Sequence, residues 1–198
     1  AEVEGNDTLA EANALGLALA NPSTSLSGTV NEGFTDLGED VDIYSFTLDA
    51  GQTASFDIDT EEVFQEDLNF RQVLFPALAD TSLQPDLELR LFDAEGNELA
   101  VNSDGAAPDE AFSRDPYLEY TADSAGTYYV GVSGLGNRNY DPNVARSGST
   151  WTFPEVGVFF GPYELTATLT DSSGQPPMGG DITGTDAADT LIGDTTAN

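Results

Sequence analysis

Side chains along most of this chain alternate between apolar and polar with a period of two residues. Tyr44, Phe46 and Leu48, for example, alternate with Ser45 and Thr47. Successive side chains of a β-strand point to opposite faces of a sheet, so this alternation predicts strands with one buried face. The same period recurs in 52–58, 87–91, 98–101, 118–120, 128–132 and 163–169. Turns containing glycine and aspartate separate these segments. The pattern predicts an all-β fold, an antiparallel, jelly-roll-like β-sandwich of about eight strands.

The segment before the first of these strands, residues 8–19, is amphipathic. Thr8 is followed three residues later by Glu11, which is the spacing of a capping box, so a short helix or a turn is predicted there. Two stretches, 60–85 and 134–160, interrupt the alternation and are predicted to be long loops.

The charge balance excludes several classes of function. The chain has 36 acidic residues against five arginines, a formal charge of −31, and no lysine, histidine or cysteine. Such a surface repels nucleic acid and anionic membranes, attracts cations and fits a protein that meets brine. Thiolate and imidazole metal sites are excluded, as are histidine-based triads. No apolar run is long enough for membrane insertion.

A glycosidase with two carboxylates is the main enzymatic alternative that this composition leaves open. Among 36 acidic residues, however, pairs of carboxylates at a suitable separation arise by chance. The strand pattern also implies no cleft. We therefore expect a protein that is not an enzyme.

Two acidic clusters are candidates for a calcium site. The first is Glu2, Glu4, Asn6 and Asp7, four side chains with oxygen atoms within six residues. Calcium takes six to eight oxygen ligands and tolerates irregular geometry. The alternative is that Asn6 or Asp7 caps a helix while the glutamates are solvated.

The second cluster, Glu39-Asp40-Val41-Asp42, stands at the start of the strand around Tyr44. Asp42 lies on the same side of the alternation as Tyr44, so an ordinary strand directs its carboxylate towards the core. A buried carboxylate needs a cation or hydrogen-bond donors. The alternative is an acidic turn.

Several motifs occur in an order that resembles a known family. They are NDT at 6–8, D-x-D-x-Y-x-F at 40–46, the AG turn at 50–51, L-x-L-F-D-x-x-G-N at 89–97, AGTYYVGV at 125–132 and G-x-Y-x-L at 161–165. This series resembles the bacterial pre-peptidase C-terminal domain over residues 2–170. That domain is similar in turn to the calcium-binding, collagen-binding domains of clostridial collagenases.

The resemblance implies a set of calcium ligands. In the calcium-binding branch an E-x-E-x-N-D motif joins a D-x-x-D motif, and the matching positions here are Glu2, Glu4, Asn6, Asp7, Glu39 and Asp42. Glutamate replaces the first aspartate of the second motif, which still leaves an oxygen ligand. The resemblance implies that Ca²⁺ ties the N-terminal segment to a secreted β-sandwich.

The sequence after residue 170 changes in composition. DSSGQPPMGG predicts a flexible linker at 171–180. The following residues, 181–198, resemble the start of a repeats-in-toxin (RTX, hemolysin-type) array, whose glycine- and aspartate-rich turns bind calcium. Only about one turn is present, so we expect a disordered tail that binds no ion tightly. The alternative is a plain Gly/Asp linker.

Two further groups of residues are weaker candidates. Acidic and amide side chains in two loops are candidates for a second metal site: Asp104, Asp109, Asp115, Asn139 and Asp141, together with Asn102 and Asn143. EF-hand spacing is absent, and solvated loop acids are the alternative. The aromatic residues of the loop 134–160, above all Trp151 and Phe153, are candidates for ligand binding, with a small satellite core as the alternative.

Taken together, these features predict a non-catalytic, calcium-binding accessory domain at 1–170 of a secreted, extracellular protein. Its expected partners are calcium ions and the rest of the parent protein. The second hypothesis is an adhesion module that binds a polysaccharide or a fibrous protein.

Overall fold

The computed structural model describes residues 1–30, 39–60, 85–108, 110, 114–135, 137–148 and 161–171. In these ranges the chain forms nine β-strands and no helix. The strands are β1 (Asn13–Ala14), β2 (Ser23–Val30), β3 (Val41–Leu48), β4 (Thr53–Thr60), β5 (Leu87–Phe92), β6 (Glu98–Asn102), β7 (Tyr117–Thr121), β8 (Gly126–Gly134) and β9 (Gly161–Thr170). The predicted all-β fold is confirmed. The described segments contain no helix with the length and apolarity needed to cross a bilayer.

The strands form two sheets that pack face to face. The five-stranded sheet has the order β1-β3-β8-β5-β6, and the four-stranded sheet has the order β2-β9-β4-β7. Neighbouring strands are antiparallel except β1, which pairs with β3 in parallel. The inward side chains of both sheets form one core, in which the rings of Phe46 and Phe56 lie 4.9 Å apart across the sandwich. The apolar residues of the period-two alternation therefore form the interior of the sandwich.

The amphipathic segment at residues 8–11 is a turn. The Glu11 amide donates to the Thr8 carbonyl at 3.0 Å, and the Thr8 hydroxyl donates to the Glu11 carboxylate at 2.8 Å. The capping-box residues thus contact each other without a helix following them. The Leu9 amide donates to the Pro142 carbonyl, which anchors this turn against the loop after β8.

The outer face of the five-stranded sheet is also buried. Residues 137–148 lie across it, and Tyr140 packs with Val41, Ile43 and Phe92 in a second apolar cluster. The Arg90 guanidinium lies 4.3 Å from the centre of the Tyr140 ring and donates to the Tyr140 carbonyl at 2.9 Å. A strand that is covered on both faces can hold its side chains in fixed positions, and β3 is such a strand.

Strand β2 was not predicted from the sequence. Its residues are STSLSGTV, in which Leu26 and Val30 are the only large apolar side chains. It lies at the edge of the four-stranded sheet and pairs with β9 over its whole length. An edge strand with a solvated outer face needs few apolar residues, so its period-two signal is weak.

The two sheets approach each other along the side formed by β2 and β3, which we call the seam. The N-terminal strap, residues 1–12, crosses it. The Glu2 amide donates to the Ser27 carbonyl of β2 at 3.0 Å, and the Ile43 amide of β3 donates to the Asn6 carbonyl at 3.0 Å. The strap therefore bonds through its backbone to both sheets.

Gly28 of β2 allows the strap to lie this close. A Cβ at this position would overlap the hydroxyl end of Tyr163 and would lie 2.7 Å from Oε2 of Glu2. Both groups are held by other hydrogen bonds and cannot move away independently.

We expect Gly28→Ala to destabilise the domain by about 1–3 kcal/mol, the usual cost of forcing an extra methyl group into a packed site. The control is Gly126→Ala, because the nearest atom to a Cβ there is 3.8 Å away. Urea unfolding of both variants measures the difference. Equal stabilities would contradict the close packing of the strap at Gly28.

Candidate metal centre

Three carboxylates converge where the strap meets the start of β3. The carboxylate oxygens of Glu4, Asp40 and Asp42 lie within 4.8 Å of one another. Two oxygens that share one calcium ion at 2.3–2.6 Å can be at most about 5 Å apart, so this spacing fits a single ion. Glu4 is exposed, whereas Asp40 and Asp42 are buried. The cluster is open towards solvent on the side of Glu4.

The backbone brings these residues together in a simple way. Asp40 and Asp42 are two residues apart at the start of β3, so they lie on the same face of the strand. Glu4 comes from the strap, next to Gly5, whose φ of 85° is in the left-handed region that glycine adopts without strain. The chain bends at Gly5, and Asn6 then pairs with Ile43.

Asp42 is the most constrained member of the cluster. Its side chain is 0% exposed, and its Oδ2 accepts a hydrogen bond from the Tyr163 hydroxyl at 2.7 Å. Its Oδ1 is buried and has no hydrogen-bond partner among the described residues. Burial, followed by the nearby charges of Glu2 and Asp40, raises the pKa of this carboxyl well above its ordinary value. An ionised Asp42 therefore has one donor, the Tyr163 hydroxyl, while its buried Oδ1 has neither the donor nor the cation that a buried carboxylate needs.

The Glu2 carboxylate forms hydrogen bonds to both sheets. Its carboxylate accepts hydrogen bonds from the Thr29 amide at 2.6 Å and from the Tyr44 hydroxyl at 2.9 Å. These bonds fix the end of the strap to β2 and β3 at once. Glu2 thus clamps the strap to β2 and β3 across the seam.

The hydrogen-bond chain that ends at Asp42 is one proton short when Asp42 is ionised. The oxygens of Glu2, Tyr44, Tyr163 and Asp42 form a chain with successive contacts of 2.9, 2.7 and 2.7 Å. Each contact between two oxygens needs one proton, so the three contacts need three protons. The two tyrosine hydroxyls supply two. A proton on Asp42 completes the chain, since Asp42 then donates to Tyr163, Tyr163 to Tyr44 and Tyr44 to Glu2. Burial and the adjacent carboxylates raise the pKa of both tyrosines, so neither loses its proton.

The other residues of the implied ligand set lie close to this cluster in the chain. Asn6 is 1% exposed, and its side-chain Nδ2 has no partner in the described part of the chain. Rotating the amide by 180° places an oxygen at the same position. Asp7 and Glu39 are half-buried.

Asp40 belonged to the second acidic cluster of the sequence but was absent from the ligand set that the family resemblance implied. The motif D-x-x-D directed attention to Glu39, although residues two apart on a strand share a face and residues three apart do not. The alternation that placed Asp42 towards the interior places Asp40 there as well. That signal was present in the sequence.

The residues of the second candidate metal site are spread over the fold. Asp141 accepts hydrogen bonds from Asn143, which lies beside Gly96 in the β5–β6 turn. Asp104 and Asp115 lie at the opposite, open end of that hairpin, where Asp115 accepts the Thr60 hydroxyl at 2.6 Å. Asn139 is exposed, and Asp109 lies outside the described residues.

A different acidic group occurs on the four-stranded sheet. Carboxylate oxygens of Asp57, Asp59 and Glu110 lie within 4.8 Å of one another, with no member fully buried. The candidate aromatic residues Trp151 and Phe153, the linker 171–180 and the repeat-like tail fall on stretches outside the described ranges, apart from Asp171.

One protein family matches part of this chain. Residues 40–134 match the bacterial pre-peptidase C-terminal domain. The matched range begins at Asp40, includes Asp42 and runs from β3 to the end of β8. The family match therefore includes two of the three carboxylates of the cluster, and the strap with Glu4 lies outside it.

Solved structures give weaker likenesses. Aeromonas hydrophila PliG, a periplasmic lysozyme inhibitor of g-type lysozyme, is 16% identical, with 80% of this chain and 96% of that chain covered and a TM-score of 0.40. A protein from Sulfurospirillum deleyianum is 8% identical, with 74% and 98% covered and a TM-score of 0.32. TM-scores this low do not identify a shared fold. No curated protein matches the sequence significantly.

We expect Asp42→Asn to stabilise the domain when divalent ions are absent. The pKa of Asp42 is raised in the folded state, so the stability of the native protein falls as pH rises from about 4 through that folded pKa. The asparagine amide donates to Tyr163 without a charge and removes this loss. Urea unfolding of ion-free samples from pH 4.5 to 8 should show the variant more stable at pH 8. The advantage should shrink as pH falls. A variant that is less stable at pH 8 contradicts the proposed protonation of Asp42.

Proposed function

We propose that this chain is a non-catalytic accessory domain that binds Ca²⁺ between its N-terminal strap and the start of β3. The observation that carries the proposal is the buried Oδ1 of Asp42, which lacks a partner where Glu4 and Asp40 converge. A cation at this point supplies the missing charge. In the ion-free protein a proton supplies part of it.

The donor set favours calcium over other metals. All candidate ligands are oxygens, because the chain contains neither histidine nor cysteine. Soft transition metals are therefore disfavoured. Mg²⁺ demands near-ideal octahedral geometry and keeps most of its water, whereas Ca²⁺ accepts irregular sets of carboxylate and carbonyl oxygens. Oxygens from a strap and a strand that meet at an angle form an irregular set, which suits Ca²⁺.

In this proposal Glu4, Asp40 and Asp42 are the principal ligands. Asn6 and Asp7 are the candidates for the remaining protein oxygens, with Glu39 at the margin. Glu2 clamps the strap through hydrogen bonds, as described above. The calcium ion neutralises the charge of three carboxylates that otherwise repel each other, and it thereby holds the strap against β3.

The family match supports an extracytoplasmic setting, since it is to a bacterial pre-peptidase C-terminal domain. We propose that residues 1–170 form one secreted module, that 171–180 link it to the next region and that 181–198 begin an RTX-like calcium-binding array. The ion then fixes the direction of the chain where it enters the module. A fixed direction allows an accessory domain to hold the neighbouring regions of the protein in a defined orientation.

Calcium should raise the thermal stability of the domain. Extracellular calcium modules have Kd values of about 10⁻⁴ to 10⁻³ M, and a ligand at 100 times its Kd stabilises by about 2.7 kcal/mol. For a chain of this length that corresponds to a rise in Tm of roughly 5–10 °C. Equal Tm values in 10 mM CaCl₂ and in chelator would refute the proposal.

A pair of adjacent variants tests which residues bind the ion. Asp40→Asn should weaken calcium binding at least tenfold, whereas Glu39→Gln should change it less than about threefold, because Glu39 lies on the other face of the strand. Both substitutions remove one negative charge, so their difference reports position rather than charge. Isothermal titration calorimetry measures both constants. The reverse order would assign the ligand to Glu39 and contradict the cluster seen in the structure.

A further inference from the structure

The proposed calcium site does not account for the acidic residues that lie far from it. The chain carries 36 acidic residues and five arginines, so most carboxylates cannot pair with an arginine. Two of the arginines form ion pairs, Arg90 with Glu98 and Arg138 with Glu88. Arg90 and Glu88 lie on β5, two strands from β3 and level with its start, because both strands pair with residues 131–133 of β8. These arginines offset only a small part of the formal charge of −31, so the field at the candidate metal centre is negative.

Acidic side chains occupy facing positions on neighbouring strands of the four-stranded sheet. Asp59 of β4 lies directly opposite Glu164 of β9. Burial first, and then the charges of Asp115 and Glu164, raise the pKa of Asp59. Like charges at directly opposite positions destabilise a sheet. Their presence is expected where dissolved cations rather than protein cations neutralise the surface.

The dimensions of the sandwich decide whether such charges reach the metal centre. Strand β3 has eight residues, so its far end lies roughly 23 Å from its start at a rise of about 3.3 Å per residue. The Debye length is about 30 Å at 0.01 M ionic strength and about 3 Å at 1 M. Charges at the far end therefore act on the ion in dilute medium and are screened in concentrated salt.

We propose that the calcium affinity of the strap site is regulated by ionic strength through the acidic surface of the whole domain. The inference rests on the proposed calcium site. A divalent cation is attracted by each distant carboxylate, and screening by monovalent salt removes this attraction. The strap is then held according to the balance between calcium and monovalent salt in the surroundings, and not according to calcium alone.

Four exposed carboxylates outside the candidate ligand set test the proposal. Asp49, Glu95 and Asp123 lie at the end of the sandwich opposite to Asp42, and Glu119 lies on β7, three strands from β2. None belongs to either carboxylate cluster. The neutral variant carries Asp49→Asn, Glu95→Gln, Glu119→Gln and Asp123→Asn. Its matched control carries Asp49→Glu, Glu95→Asp, Glu119→Asp and Asp123→Glu, which keeps all four charges.

Calcium titrations at 10 mM and at 1 M NaCl should separate the two variants. At about 25 Å in water, each distant charge changes the affinity for a divalent ion by roughly 1.3-fold at low salt. The neutral variant should therefore bind roughly threefold more weakly than wild type at 10 mM and equally at 1 M. The control should match wild type at both. Wild-type affinity itself should fall more than tenfold between the two conditions.

Other outcomes refute distinct statements. A constant Kd across the salt range, or an equal effect of the neutral variant at both concentrations, overturns regulation by ionic strength while the calcium site stands. Absence of calcium binding at every salt concentration overturns the site itself. Circular dichroism of each sample at each ionic strength shows that the titrations compare folded protein.

Discussion

A carboxylate buried in the seam between two sheets determines much of this structure. Asp42 occupies a position of β3 where every second neighbour is part of the apolar core. Its ionised form needs a partner, and the fold provides hydroxyls on one side and further carboxylates on the other. The hydroxyls suit a protonated Asp42, and the carboxylates suit a bound cation. In the proposed function, one of the two balances the buried charge of Asp42.

The rigidity of β3 follows from its place between two apolar layers. The inner core fixes Tyr44 and Phe46, while residues 137–148 cover Val41 and Ile43 from outside. Asp40 and Asp42, at the start of β3, therefore belong to a strand that is packed on both faces. Preorganised ligands lose little freedom when an ion binds.

Period-two alternation was sufficient to predict the strands that face the core, from β3 to β9. It failed for β2, where serine and threonine replace apolar residues on an edge strand, and for the two-residue β1. The alternation also carried correct information on Asp42 and, unused, on Asp40. It could not show that Glu2 forms hydrogen bonds to Thr29 and Tyr44, because such contacts depend on how two sheets meet. Periodicity describes one strand at a time, and the clamp joins the strap to two strands in different sheets.

The contacts of the metal centre join distant parts of the chain. The hydroxyl of Tyr163 lies within hydrogen-bonding distance of Glu2, 161 residues earlier, and of Asp42, 121 residues earlier. The centre therefore cannot assemble on a nascent chain until β9 has been synthesised. A complete carboxylate and hydroxyl set thus distinguishes a finished domain from any C-terminally truncated one.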